Sequence, residues 1–261
     1  MNISNTNNSN QLKTLAQGLE ALKLLALLGP MKNSEIADRL QLSRPTITRI
    51  VKTLIDQGLV YKDKREQLIR LDIGAAVVGL AYHQQSLLIQ ISHSLMIRFR
   101  RETGLSIGIT AIDPMTDQGV YLYGLEHDDI SDLPGDVGSL HPIMNSAMGR
   151  CYLAGLPLYE KHRLSQRLQV GYSAKEWQLL SQKMEKDYTF YQEHGYGKSY
   201  GEVLSTLNMI FCEINISGSQ YFSLICMGPA SQLNDNSIEQ GTAISLKATA
   251  KEIERAVSKV R

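Results

Sequence analysis

Apolar residues recur at helical spacing three times within the first sixty positions. The first run covers residues 14–28, and its apolar stripe consists of Leu15, Leu19, Leu22 and Ala26. The second run has Ile36, Ala37 and Leu40 on its inner face. The third begins after Ser43, has a proline in its first turn and ends at Gly58; its predicted buried stripe is Ile47, Ile50, Val51 and Leu54. Three helices, the last two joined by a tight turn, are typical of a helix-turn-helix.

A short hairpin is predicted directly after the third helix. The stretch LVYKDKREQLIRLD, residues 59–72, has two short apolar runs on either side of a charged tip. Three helices followed by such a hairpin predict a winged helix-turn-helix domain over residues 12–72. Residues 1–11 are polar, uncharged and without the apolar segment of a signal peptide, so we expect a disordered tail.

The pattern changes twice in the remainder of the chain. Residues 73–90 are predicted to form a linker helix, and its apolar surface suggests packing against its copy in a second subunit. From residue 104 the period becomes that of strands, as in LSIGITAID, GVYLYGLEH, LNMIFCEINI and YFSLICMGP. The stretches PMTDQG and HDDISDLPGDVGS are predicted to be a turn and a loop, and helical patterns lie between and after the strands. Residues 91–261 are therefore predicted to form an α+β domain, an antiparallel sheet flanked by helices.

Charge is distributed unevenly along the 261 residues. The net charge of +1 divides into +4 for residues 1–75 and −3 for the rest, so only the first domain is expected to meet a polyanion. Three cysteines without a CxxC pair argue against a disulfide framework or zinc knuckle and suggest a reducing, cytoplasmic location. No apolar run is long enough for a membrane span, and no cofactor or metal is expected.

The third helix carries the candidate DNA-binding residues. With its apolar stripe inside, the side chains predicted to face the major groove are Arg44, Thr46, Thr48 and Arg49. Lys52 and Ser43 are predicted to contact phosphates. Lys62, Lys64 and Arg65 at the hairpin tip suit phosphate or minor-groove contacts. The alternative is a solvated face on a protein-interaction domain. The coincidence of helix spacing, outward Arg and Thr, and a basic hairpin favours double-stranded DNA, bound by a homo-oligomer on paired half-sites.

In order and spacing these motifs resemble the IclR family of bacterial transcriptional regulators. Segments 19–28, 35–42, 43–60 and 70–74 are similar to the family's winged-helix motifs, and segments 138–157, 193–214 and 222–233 to motifs of its second domain. The resemblance implies a winged helix, a linker helix and a GAF-like effector-binding domain. It also implies dimers or tetramers on palindromic operators, whose DNA affinity changes with a small metabolite, often an organic or aromatic acid. Whether transcription is repressed or activated depends on where the operator lies.

The resemblance also places a candidate effector pocket. The ligand-facing turn corresponds to Ser146, Ala147 and Met148, and Ser199 stands where some relatives have a carboxylate. Ile225 and Met227 stand where glyoxylate-type relatives have serines, which favours a ligand with an apolar or aromatic body. Core packing is the alternative for Met148, Ile225 and Met227. Arg150 could attract an acidic ligand, but an exposed, solvated side chain is the expectation. Three further residues expected to border the pocket are Asn208, Cys212 and Tyr123.

The sequence gives little support for catalysis. His141 precedes Cys151 by ten positions, but nothing orders them as base and thiolate. The glycine-rich GYGKSYG lacks the order of a phosphate-binding loop. The alternative function from a different class is a metabolite-binding enzyme or sensor whose winged helix serves subunit or protein contacts.

Overall fold

The computed structural model describes residues 12–113, 117–125, 137–202, 204–216 and 221–260. The chain divides into two compact units between Ser86 and Leu87. The tail expected at residues 1–11 lies outside the described residues, as do the first half of the PMTDQG turn and most of the loop expected at 127–139.

The first unit is a winged helix followed by a further helix. Its helices are α1 (Lys13–Leu28), α2 (Asn33–Leu40), α3 (Arg44–Asp56) and α4 (Ile73–Gln85). Its strands are β1 (Met31–Lys32), β2 (Val60–Lys62) and β3 (Leu68–Leu71). They form an antiparallel sheet in the order β1-β3-β2. The sequence did not reveal β1, because two residues are too few to show an alternating pattern.

The core of the first unit confirms the stripe of α3 and corrects that of α1. All four expected residues of α3 are buried. In α1 the buried residues are Ala21 and Leu25, whereas Leu15 and Leu19 are 59% and 51% exposed. A Cβ on Gly18 would lie 3.9 Å from Cγ2 of Ile50 on α3. The small residues Gly18 and Ala21 therefore form the side of α1 that packs closely, which a count of large apolar residues overlooks.

Helix α4 is held at its N-terminus by a capping hydrogen bond and a close backbone contact, and its apolar residues are exposed. The Asp72 carboxylate accepts the N–H of Ile73 at 2.7 Å. A Cβ on Gly74 would lie only 2.4 Å from the carbonyl oxygen of Gly58, so this crossing requires glycine. All of α4 is described, and none of its residues is buried. Its large exposed apolar residues are Ile73, Val77, Val78, Leu80 and Tyr82.

The second unit is an α+β domain. Its helices are α5 (Leu87–Thr103), α6 (Ala147–Gly155), α7 (Leu158–Gln169), α8 (Ala174–His194), a single turn α9 (Asp235–Ser237) and α10 (Ala243–Val260). Its strands are β4 (Ser106–Asp113), β5 (Gln118–Leu125), β6 (Leu140–Pro142), β7 (Gly197–Tyr200), β8 (Leu207–Ile214) and β9 (Phe222–Pro229). Strand β7 was not expected from the sequence. Gly241, whose φ is 148°, interrupts the helical turns that precede α10.

One antiparallel sheet separates two cores in this unit. The strand order is β6-β5-β4-β9-β8-β7. Helices α5 and α10 cover one face, where the core includes Phe99, Ile107 and Leu246. Helices α6, α7 and α8 lie on the other face, where the core includes Leu153 and Phe211. The three cysteines are buried residues of these cores.

Candidate functional site

The outer face of α3 carries three basic side chains. Arg44, Arg49 and Lys52 are exposed, opposite the buried stripe of the same helix. Within the part of the chain that the structure describes, no hydrogen bond or ion pair holds their charged groups. Three cationic groups are therefore available on one helix face for an anionic partner.

The hydroxyl groups of α3 stabilise the helix itself. Ser43 is the N-cap, and its Oγ accepts the N–H of Thr46 at 3.3 Å and lies 2.7 Å from Oγ1 of Thr46. Oγ1 of Thr48 donates to the carbonyl of Arg44 at 2.8 Å and accepts from Nδ2 of Asn33 at 3.0 Å. Ser43, Thr46 and Thr48 thus lie beside the three basic residues, but these hydroxyls already have internal partners. The methyl group of exposed Thr48 remains available for an apolar contact.

The acidic groups of the hairpin tip are paired with donors of the same hairpin. Oδ1 of Asp63 accepts the N–H groups of Arg65 at 2.8 Å and of Glu66 at 3.2 Å, and these two bonds lower the pKa of Asp63. Asp63 and Glu66 both pair with Arg70. The basic residues of the tip, Lys62, Lys64 and Arg65, are exposed. The tip therefore presents positive charge although its sequence is mixed.

A cavity of about 270 Å³ lies in the second unit, on the α6 side of the sheet. Its apolar wall includes Val120, Leu207 and Met209, together with expected residues Met148, Ile225 and Met227. Polar positions in the wall are Thr110, Tyr121, His141, Asn145, Ser146, Ser199, Glu202 and Asn208. The Thr110 hydroxyl donates to Sδ of Met148 at 2.9 Å, and the amide of Asn208 donates to the carbonyl of Leu233 at 2.8 Å. The volume suits one small organic molecule.

The structure brings six of the seven residues expected to bind the effector to this cavity. Those six are Ser146, Met148, Ser199, Asn208, Ile225 and Met227. Ala147 is buried behind the wall, and its N–H donates to Oε2 of Glu202 at 3.2 Å. Glu202 was not anticipated as a wall residue, although it directly follows the glycine-rich stretch GYGKSYG, within the segment 193–214 that carries the family resemblance.

Two other expected neighbours of the cavity, Cys212 and Tyr123, lie on the opposite face of the sheet. Cys212 alternates with Phe211 along β8 and packs in the core under α5 and α10. Tyr123 is two residues beyond Tyr121, which faces α6, but the register shifts between Ile109 and Thr110. The shift leaves one extra residue on β5 and places Tyr123 on the far side, where it contacts His93.

Arg150 is buried, and the expectation of a solvated side chain was wrong. It is 1% exposed, and its Nε donates to Asp187 at 2.6 Å. Nη2 donates to Oε1 of Glu202 at 2.7 Å, and Nη1 donates to the carbonyl of Met144 at 2.9 Å. Lys183 also contacts Oε1 of Glu202. A buried guanidinium requires such partners, and here they come from distant parts of the chain.

The surroundings shift the pKa values of two titratable groups of the cavity wall. Burial alone would raise the pKa of Glu202, but hydrogen bonds from Lys183 and Ser199 and the charge of Arg150 outweigh it, so the pKa is lowered. Burial lowers the pKa of His141. At neutral pH the wall therefore contains one carboxylate and one neutral imidazole.

Two other kinds of site, a metal site and a membrane-spanning helix, have no candidate among the described residues. Within them no group of three His, Cys, Asp or Glu side chains could hold a metal ion. No helix in the same ranges is long and apolar enough to cross a membrane. The first unit is a winged helix with a basic outer face, and the second is an α+β domain with a cavity. The chain is therefore a winged-helix protein with a GAF-like second domain.

The chain is similar to known transcriptional regulators over nearly its whole length, and a family model matches its N-terminal part. The MarR family model matches residues 16–67, the winged-helix part. The transcriptional repressor IclR of Escherichia coli is 21% identical over 253 residues, covering 96% of this chain and 92% of that protein. The acetate operon repressor of Salmonella typhimurium is 21% identical, covering 93% and 89%. The chain is thus similar in sequence, over nearly its whole length, to repressors of the IclR family.

Solved structures show the same fold. An IclR family regulator from Brucella abortus has a TM-score of 0.85 at 24% identity, covering 96% of this chain and 94% of that chain. An IclR homologue from Microbacterium hydrocarbonoxydans, solved with 4-hydroxybenzoate, has a TM-score of 0.65 at 17% identity, covering 94% and 99%. The α+β fold class and the winged helix expected from the sequence are thereby confirmed.

Proposed function

We propose that the chain is a DNA-binding transcriptional regulator, not an enzyme, that acts in the cytoplasm on double-stranded operator DNA. The observation that carries this proposal is the outer face of α3, where Arg44, Arg49 and Lys52 are exposed without internal partners among the described residues. Arginine on such a face reads guanine edges in the major groove, and lysine contacts phosphate. The basic hairpin tip adds phosphate or minor-groove contacts.

The proposed effector is a small organic acid, aromatic or otherwise apolar in its body, bound in the cavity of the second unit. The wall supports an apolar body, because Met148, Ile225 and Met227 present no hydroxyl to a two-carbon oxoacid. The related structure solved with 4-hydroxybenzoate supports the choice of an aromatic acid. Effector binding is proposed to shift the population of subunit arrangements and so change operator affinity.

A homo-oligomer is part of the proposal, because one winged helix contacts too few bases for adequate specificity. The exposed apolar residues of α4 support a second copy of the chain as their partner, either in a dimer or in a tetramer. A palindromic operator would match the symmetry of such an assembly.

Titration of upstream promoter fragments with the full-length protein tests DNA binding. Arg49→Ala is expected to cost about 1–3 kcal/mol and to relax preference at one base position. Lys52→Ala is expected to weaken binding on all sequences and to lower the salt slope by about one. Lys251→Ala, which removes an exposed charge from α10, is the control. Equal affinity of all four proteins, without sequence preference, would instead favour the metabolite-binding enzyme or sensor.

A further inference from the structure

A carboxylate of the protein itself occupies the position of the cavity wall that best suits an anion. Ala147 is the first residue of α6, and the first N–H groups of a helix lack partners within it. Its N–H donates to Oε2 of Glu202 at 3.2 Å, and the hydroxyl of Ser199 donates to the same oxygen. Glu202 and Ser199 both line the cavity. A ligand carboxylate at this helix end would therefore meet Glu202 already in place.

The other oxygen of Glu202 is held by two cations. Oε1 accepts from Nη2 of Arg150 at 2.7 Å and from Nζ of Lys183. Each oxygen thus has two donors, which is about the full capacity of a carboxylate. Among the described residues that line the cavity, neither Arg150 nor Lys183 is present. A ligand carboxylate therefore finds hydrogen-bond donors here only by displacing Glu202, either from the cations at Oε1 or from the neutral N–H and hydroxyl at Oε2.

We propose that Glu202 is an internal competitor of an acidic effector. A ligand carboxylate takes the N–H of Ala147 and the hydroxyl of Ser199, and Oε2 of Glu202 leaves them while Oε1 stays paired with Arg150 and Lys183. This inference rests on the proposed function, because it takes the cavity as the effector site. Glu202 is then a specificity-determining residue, because only an acid whose other contacts are strong enough to displace it can bind.

The geometry also connects this displacement to two helices. Arg150 lies on α6, and its Nε donates at 2.6 Å to Asp187 on α8. Lys183, the other cation on Oε1, also lies on α8. Through Oε1, Glu202 therefore contacts cations of both helices, and its rotation acts on α6 and α8 together. A neutral ligand of the same shape leaves Glu202 where it is.

Glu202→Gln tests the proposal, because it removes the charge with little change in size. Arg150 keeps Asp187 and the Met144 carbonyl as partners, so the variant is expected to fold. Binding of benzoate, phenylacetate and pyruvate, each beside its amide, is measured by calorimetry on the full-length protein. We expect at least one acid to bind the variant roughly ten- to a hundred-fold more tightly than wild type, because charge-assisted hydrogen bonds no longer have to be broken. Affinity for the amides should not change.

Equal gains for acid and amide, or no acid bound by the variant, would overturn the competitor role. If the Gln variant does not fold, Glu202→Asp carries the test, because it keeps a charge for Arg150 but is one methylene too short for the N–H of Ala147. It must also bind an acid more tightly than wild type does. Operator binding is measured separately: failure of wild type and variants to bind any promoter fragment contradicts the proposed function, and the calorimetry still decides the role of Glu202.

Discussion

Arg150 and Glu202 lie 52 positions apart in the sequence, and Nη2 of Arg150 donates to Oε1 of Glu202 at 2.7 Å. Their side chains are 1% and 10% exposed. Arg98 and Glu252 form an ion pair at the same distance of 2.7 Å, with side chains 47% and 43% exposed. The two pairs have the same chemistry, but the buried one belongs to a network that includes Asp187 and Lys183. Comparing them therefore measures a buried ionic network against an exposed ion pair.

Arg150→Met is expected to lower the free energy of unfolding by about 3–5 kcal/mol, because it leaves buried carboxylates without their guanidinium. Arg98→Met, the matched control, is expected to cost about 0–1 kcal/mol, because water screens the exposed pair. Chemical denaturation of both variants beside wild type measures the difference. Similar losses in the two variants would contradict the structural role of the buried pair.

His141 is expected to make stability depend on pH. Burial depresses its pKa below the ordinary value of 6.5, so the unfolded chain takes up a proton before the folded one does as the pH falls. The stabilising contribution of neutral His141 is therefore fully present above pH 6.5 and is lost as the pH falls through the lowered pKa. Melting temperatures at pH 7.5 and 5.5 test this.

Wild type is expected to lose more stability over that interval than His141→Gln does. His162→Gln, which changes an exposed histidine on α7, is the control and should follow wild type. The interpretation fails if His141→Gln and wild type show the same change in melting temperature between the two pH values.

The apolar surface of α4 is expected to hold the oligomer together. Val78 is 68% exposed, and a carboxylate there would have to be desolvated in any interface built on this helix. Val78→Glu should therefore lower the mass measured by light scattering toward that of one chain. Val170→Glu places the same substitution at a residue 87% exposed at the end of α7, and its mass should match wild type. Unchanged mass in both variants would place the subunit contacts elsewhere.

Elements with a clear hydrophobic periodicity were predicted well from the sequence. Elements whose packing depends on residues far away in the sequence were predicted poorly. The stripe of α3 was confirmed because large apolar residues at helical spacing coincide with clear boundaries. The predicted stripe of α1 was wrong at Leu15 and Leu19, because the closely packed side of this helix consists of Gly18, Ala21 and Leu25. Strand β7 was hidden inside a glycine-rich segment that resembles a loop.

Side-chain environments were harder to predict than elements. Arg150 was expected in water because its partners Asp187 and Glu202 lie 37 and 52 positions away. Tyr123 was misplaced because one bulge in β5 reverses every side chain beyond it. Period and spacing describe neighbours along the chain, whereas ion pairs and bulges depend on contacts between elements.

Alternate residues of strand β9 face opposite sides of the sheet, one a packed core and the other the cavity. Leu224 and Cys226 belong to the core beneath α5 and α10, while Ile225 and Met227 form part of the cavity wall. Under the proposed function, substitutions at these alternate positions are expected to change which molecule fits the cavity while the core on the opposite face of the sheet stays unchanged.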